Sequence, residues 1–165
     1  MAENISLVLT GATQGVIQGV HSQSSLDRVN TIEVFALKNA IGTSFDRSTL
    51  QSTRRHYYEP VTFTKGVDAS TVKIRQALVR SERITSARFR WFRSSPAGSG
   101  TMEHFLTLLL QDARITSCVL RLPDAMDPVA HTQPPLDEVS IVFDRVTWTF
   151  HDGGIEFEDT WQSQT

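Results

Sequence analysis

One cysteine in 165 residues, Cys118, leaves no partner for an intrachain disulfide and no set of thiolates for a Cys-based zinc cluster. Long apolar runs are missing too: nothing approaches the ~18 consecutive apolar residues that a membrane-spanning helix needs. Charge of one sign is not in excess. The 16 basic and 18 acidic residues leave −2, which disfavours a generally basic nucleic-acid binder. The start, Met1-Ala-Glu-Asn-Ile-Ser-Leu, has no basic stretch ahead of an apolar core, so no secretory signal is expected. A chain of this length makes about one domain and removes roughly 70% of its unfolded surface on folding. At 39% hydrophobic and 21% charged, its composition is that of an ordinary globular protein. The expectation is a soluble, reduced, single domain over 1–165, made in the cytoplasm, with no cofactor, no nucleic-acid partner and no membrane insertion.

The small net charge conceals two opposed blocks. Lys73, Arg75, Arg80, Arg83, Arg88, Arg90 and Arg93 stand against Glu82 alone. Asp137, Glu138, Asp144, Asp152, Glu156, Glu158 and Asp159 stand against Arg145 alone. Either the blocks attract each other within one fold, or the basic surface of one copy meets the acidic surface of the next. The second arrangement is a heterologous, head-to-tail contact, which closes into rings or runs on as filaments.

Short strands dominate the pattern. Ile5, Leu7 and Leu9 alternate with Ser6 and Val8, and Ile32 to Leu37 is a second apolar run. Asn39 to Arg55 is polar and without period, and so reads as a long connection of the kind that tends to be functional. Val61-Thr-Phe-Thr resumes alternation after Pro60. One helix follows, with Asp68 or Ser70 as cap and Ile74, Ala77 and Leu78 on one face; the absence of Ser-x-x-Glu argues against a capping box. Ala87, Phe89 and Trp91 form a half-buried strand, and 94–100 a turn. Phe105 to Leu110 is apolar on both faces, which calls for cover by the helix or by another subunit. Ile115 to Leu122 reads as a further strand, and the four prolines of 123–135 make a loop. Val139, Ile141 and Phe143 share one parity, and Val146, Trp148 and Phe150 the other, so a bulge near Asp144–Arg145 would put both sets on one face. Gly153-Gly154 then turns a hairpin that ends at Trp161. The sum is a mainly β chain: an antiparallel β-barrel or sandwich with one packed α-helix and a long extended loop at about 39–55.

Chemistry-bearing residues do not assemble into a site. The five histidines show no His-x-x-x-His spacing. His104 beside Glu103 opens a strand, Cys118 lies within an apolar strand, and Gly11-x-x-x-Gly15 lacks the Lys-Ser/Thr of a phosphate loop. The neighbours Glu158 and Asp159 point to opposite faces of a strand. No catalytic constellation, metal site or cofactor site is expected.

Several segments in order resemble the haemolysin-coregulated protein (Hcp) family of bacterial type VI secretion systems. They are Gly11-Ala-Thr-Gln-Gly15 with Gly19, Thr31-Ile-Glu-Val-Phe-Ala, His56-Tyr-Tyr-Glu-Pro-Val-Thr-Phe-Thr-Lys65 with Val67-Asp68 and Ser70-Thr71, and Ser86-Ala-Arg-Phe-Arg-Trp-Phe. Leu136-Asp-Glu-Val-Ser, Val146-Thr-Trp148, Gly153-Gly154 and Asp159-Thr-Trp161 complete the set. Val72 stands where the family commonly has proline, the 123–135 loop does not align, and no fused toxin domain is expected after Thr165. The resemblance implies a non-enzymatic tube subunit. Hexameric rings would stack head to tail inside a contractile sheath, tipped by a VgrG-type spike, with effector cargo in the lumen, and be expelled from the cytoplasm on contraction. It places the inter-ring contact on the extended loop, at Asn39, Thr43, Phe45, Arg47, Leu50 and Arg54, and makes Lys38 a lumen-facing candidate. Two other readings stand beside it: a tail-tube protein of a phage-derived contractile particle, and a small secreted hydrolase using His104, Glu103 or the C-terminal acids.

Overall fold

Alternating side chains put one face of each strand into a shared core. A computed structural model describes residues 4–21 and 23–161, without the side chains of Asn4, Thr53 and Arg54. In β1 (Asn4–Gly11), Ile5, Leu7 and Leu9 are buried, and β2 (Gly15–Ile17) folds back against its end. β1 sits between β7 (Ile84–Ser94) and β3 (Ile32–Lys38). The sheet continues through β6 (Val61–Gly66) to β9 (Leu136–Val142), and β9 pairs on its other side with β8 (Met102–Arg121), which also pairs with β7. The order β8-β7-β1-β3-β6-β9 therefore closes on itself as an antiparallel barrel. β10 (Arg145–Phe150) and β11 (Ile155–Thr160) extend it as a flap. Of the two architectures the sequence left open, the barrel is the one formed.

The two strands expected at 105–110 and 115–122 are one strand of 20 residues. One edge of β8 carries β7; the other carries β10 along 106–111 and then β9 along 114–121. The changeover lies at Asp112, whose φ of +51° bends the strand. Its apolar run is buried on one face through Leu108 and Leu110. On the other face Leu109 lies in an open trough, so of the two covers expected, the helix or another subunit, the helix is not the one over it. The phase change at 143–146 is a break between β9 and β10. Asp144 donates its N–H to the Gln111 carbonyl (3.2 Å), and its own carbonyl accepts from the Trp161 N–H (2.7 Å). Val139, Ile141, Phe143 and Val146 consequently all reach the core.

The helix α1 (Ala69–Val79) packs on β8 and β2, burying Ile74 and Ala77. Contrary to expectation a capping box is present, with Thr71 in the place of glutamate: its hydroxyl accepts the Asp68 N–H at 3.1 Å, while Asp68 accepts from the Ser70 N–H at 2.9 Å. A fully buried lysine completes the cap. Lys65 Nζ uses all three protons, on the Gly66 carbonyl (2.7 Å), Asp68 Oδ1 (3.0 Å) and Thr71 Oγ1 (2.9 Å). Burial opposes ionisation of Asp68, but the bonds from Ser70 and Lys65 outweigh it and hold its carboxyl below the usual range. Beside Lys65 in register, Asp137 is fully buried and takes a two-pronged bond from Arg75 at 2.8 and 2.9 Å.

The connection at 39–55 is not structureless. β4 (Ile41–Phe45) and β5 (Ser52–Tyr58) form a two-stranded ribbon that belongs to no other sheet. It escapes detection by periodicity because an isolated ribbon has no buried face to impose alternation.

Candidate functional site: the ribbon arm and the flap

The arm is built for exposure. Every residue from 43 to 52 is exposed, including Phe45 and Leu50, and Ile41 and Tyr57 are half exposed. The tip is held by Asp46, whose carboxylate accepts from the Ser48 N–H (2.7 Å), the Ser48 hydroxyl and the Thr49 N–H (3.3 Å). The Ser48 bonds, side chain first, hold that carboxyl below its usual range. Gly42 in β4 leaves room for the Tyr57 ring, which a Cβ there would have to push aside.

The expected contact residues divide along this arm. Phe45, Arg47 and Leu50 project around the tip, and Thr43 turns its hydroxyl to the Arg55 carbonyl (3.0 Å) and to Ser52. The Arg54 side chain lies outside the described residues. Asn39 is different: it is half-buried at the root, and its Oδ1 accepts the indole N–H of Trp148 at 3.1 Å. Lys38 is exposed on the outside of the barrel wall and pairs with Glu59 at 3.0 Å. A register irregularity between Val34 and Ala36 changes the parity of β3, so that Leu37 packs on the core and Lys38 faces out.

The opposed charge blocks meet on one sheet face. Register places Arg88, Leu109, Thr147 and Glu158 in one row across β7, β8, β10 and β11, and Arg90, Thr107, Thr149 and Glu156 in the next. The result is a trough of about 500 Å³ with arginines on one wall and glutamates on the other. At ~4.8 Å per strand the walls stand about 14 Å apart, too far for direct pairing. Thr149 bridges instead to Glu156 at 3.0 Å. The internal attraction foreseen for the blocks is realised elsewhere, in Arg75–Asp137.

At the end of this trough lies a pair that sequence reasoning missed. His104 Nε2 is 3.2 Å from the Leu106 carbonyl and 2.9 Å from Thr107 Oγ1, and His151 Nε2 is 2.8 Å from the same hydroxyl. A carbonyl only accepts, so His104 carries its proton on Nε2; the Thr107 hydroxyl then donates to His151. The ring centroids are 4.2 Å apart. Burial, then the neighbouring imidazole and Arg90, push His104 down to about 4. Only the β8–β10 register brings residues 104 and 151 together, and nothing in either local sequence announces it. Glu103, named with His104 as a hydrolase candidate, is instead bound to Arg93 at 2.7 Å.

A pH prediction follows from this geometry. The unfolded chain binds a proton at His104 near 6.5 and the folded chain only near 4, so stability is lost as pH falls through that window. Discounted for partial exposure, the loss is about 1 kcal/mol. Melting temperatures from pH 7 to 4.5 should decline less steeply for His104→Gln than for the parent chain; parallel profiles would remove His104 as the cause.

Among the described residues no group of three His, Cys, Asp or Glu side chains is placed to hold a metal, and no helix is long and apolar enough to cross a membrane. Cys118 is half-buried, and burial raises its thiol above the ordinary value.

Comparison with known proteins supplies what the geometry alone does not. The family model described as "Type VI secretion system effector, Hcp" matches residues 7–150. The "Major exported protein" of Pseudomonas aeruginosa is 28% identical over 170 residues, covering 99% of this chain and 98% of that protein. A crystal structure of an Hcp protein superposes with a TM-score of 0.85 at 25% identity, covering 98% of this chain and 99% of that one. The Hcp1 protein of Escherichia coli EAEC 042 gives 0.80 at 24%, over 95% and 97% of the two chains.

Proposed function

Because the chain belongs to the Hcp family of type VI secretion system effectors, we propose that it is a structural subunit of the secretion tube. Six copies close a ring by head-to-tail contacts, and rings stack into a tube that sheathes effector cargo. A contractile sheath drives the tube, with its VgrG-type spike, out of the cytoplasm. Its work is mechanical and chaperone-like rather than catalytic.

The observation that carries this reading is the arm. A ribbon standing outside the main sheet, with Ile41, Phe45, Leu50 and Tyr57 exposed along a mostly polar length, presents apolar side chains of the kind that mark an interaction site. Phe45, Arg47 and Leu50 are assigned to the face of the next ring, together with Thr43 and Arg54. Lys38 remains the candidate for the lumen wall. The graded trough, basic on β7 and acidic on β11, supports a heterologous contact, since charge complementarity of this kind sets register between unlike surfaces.

Native mass tests the reading. Light scattering after size exclusion should give about six times 18.5 kDa, with annular particles in negative stain. A monomer at physiological salt, unchanged at millimolar chain concentration, would overturn it. The tail-tube alternative shares the assembly and differs in its setting: neighbouring genes for a sheath, a baseplate and an unfolding ATPase mark the secretion system.

A further inference from the structure

The root of the arm packs on the flap, and one side chain there touches both legs. The outgoing leg leaves β3 through Asn39, whose Oδ1 takes the Trp148 indole N–H. The returning leg ends at Tyr58, buried and lying against the same indole, with ring centroids 6.2 Å apart at 25°. Trp148 is backed by Phe157 at 5.7 Å and 15°, and Trp161 closes the other side of Tyr58 at 5.8 Å. Tyr58 donates its hydroxyl to Asp159 at 2.5 Å, and His56 lies 2.8 Å from the same carboxylate. All of these partners, Trp148, Phe157, Asp159 and Trp161, belong to the β10–β11 flap or the residue that follows it.

We infer that Asn39, Tyr58 and Trp148 are positioning residues through which the C-terminal flap sets the angle of the arm. This rests on the reading that the arm makes the contact between rings, and it gives Asn39 a role at the root in place of a contact with the next ring. The lever makes the angle consequential. The five residues of β4 alone span about 17 Å at ~3.4 Å each, so a 20° rotation at the root moves the far end of the arm by about 6 Å. That exceeds the ~4 Å reach of an apolar contact. The Asn39 amide cannot be flipped without placing its NH2 against the indole N–H, so the outgoing leg is held in one orientation. Ring stacking and hydrogen bonding act together here. The indole N–H of the half-buried Trp148 finds its acceptor on one leg while its face serves the other.

The test measures the angle directly. Nitroxide labels on Ser48→Cys at the tip and Val79→Cys on the helix, in a Cys118→Ser chain diluted into unlabelled copies, report one tip-to-barrel distance distribution. We expect a narrow distribution that broadens at least twofold in Asn39→Leu and in Trp148→Phe, with the melting temperature of the barrel preserved. Asn39→Asp, which keeps an acceptor for the indole, should restore the narrow distribution; an effect of general destabilisation would not be restored by it. Trp148→Phe alone decides the matter if Asn39→Leu does not fold. Parental distributions in these variants would overturn the inference. Stacking of rings by the same variants separates the two claims. Variants that close rings, lose the narrow distribution and fail to stack support both. If deleting 43–52 leaves stacking intact, the tube reading of the arm fails while the distance measurement still decides the root.

Discussion

A chain lacking residues 43–52 should close six-membered rings that no longer stack. Every deleted residue is exposed, and none contributes to the core, so the barrel loses no buried apolar surface. The remaining legs still face each other at Gly42 and Tyr57, with Thr53 to His56 left to turn between them. What disappears is the uncovered set Phe45, Arg47 and Leu50 together with the Asp46 turn that fixes it. The expected magnitude is total: rings of parental mass by light scattering, and no tubes by electron microscopy at any chain concentration. Tubes assembled from the deletion chain would refute the assignment of the arm.

Lys65→Met should lower stability strongly although methionine matches lysine in size. Its ammonium is fully buried and satisfies three acceptors at the start of α1. Methionine fits the space but leaves the Asp68 carboxylate without its cation and Thr71 without a donor. Removing one member of a buried pair costs about 3 kcal/mol. For a chain of this size that is a fall of about 6–12 °C in melting temperature. The double variant Lys65→Met/Asp68→Asn should recover part of the loss, because the stranded charge goes with its partner. A single variant melting within 2 °C of the parent would mean that water reaches Asp68 and replaces the ammonium.

What could be read from the sequence was whatever obeys a period. The alternation of Ile5, Leu7 and Leu9, the helix face of Ile74, Ala77 and Leu78, and the parity change after Phe143 all follow from side chains choosing one face. The ordered motifs carried the family. What could not be read lacked a period or depended on register between distant strands. The β4–β5 ribbon has no buried face, so its polar residues alternate with nothing. Glycine-free continuity through Asp112 hid the length of β8, because a left-handed residue bends a strand without breaking it. The capping box uses Thr71 rather than the usual glutamate, and a hydroxyl accepts the same N–H. The pairing of His104 with His151, and of Asn39 with Trp148, exists only once β8 and β10 are aligned and the chain has returned across the barrel.

The closure of the barrel by β9 also has a consequence during synthesis. β9 pairs with β6 and β8 at once, and Ile141 lies 80 residues after its partner Val61. At 5–20 residues per second the ribosome takes about 4–16 s to cover that interval. The edge of β6 stays unpaired for most of it, and the distal half of β8, complete only at Arg121, joins it for the last 20 residues. Each is a template for a strand from another polypeptide. On a crowded polysome the nearest supply of β9 is the chain being made one ribosome ahead. A barrel finished with a neighbour's β9 is a domain-swapped subunit, covalently intact but joined to the wrong partner. The slow return of one strand thus sets a race between self-closure and exchange, decided before any ring is assembled.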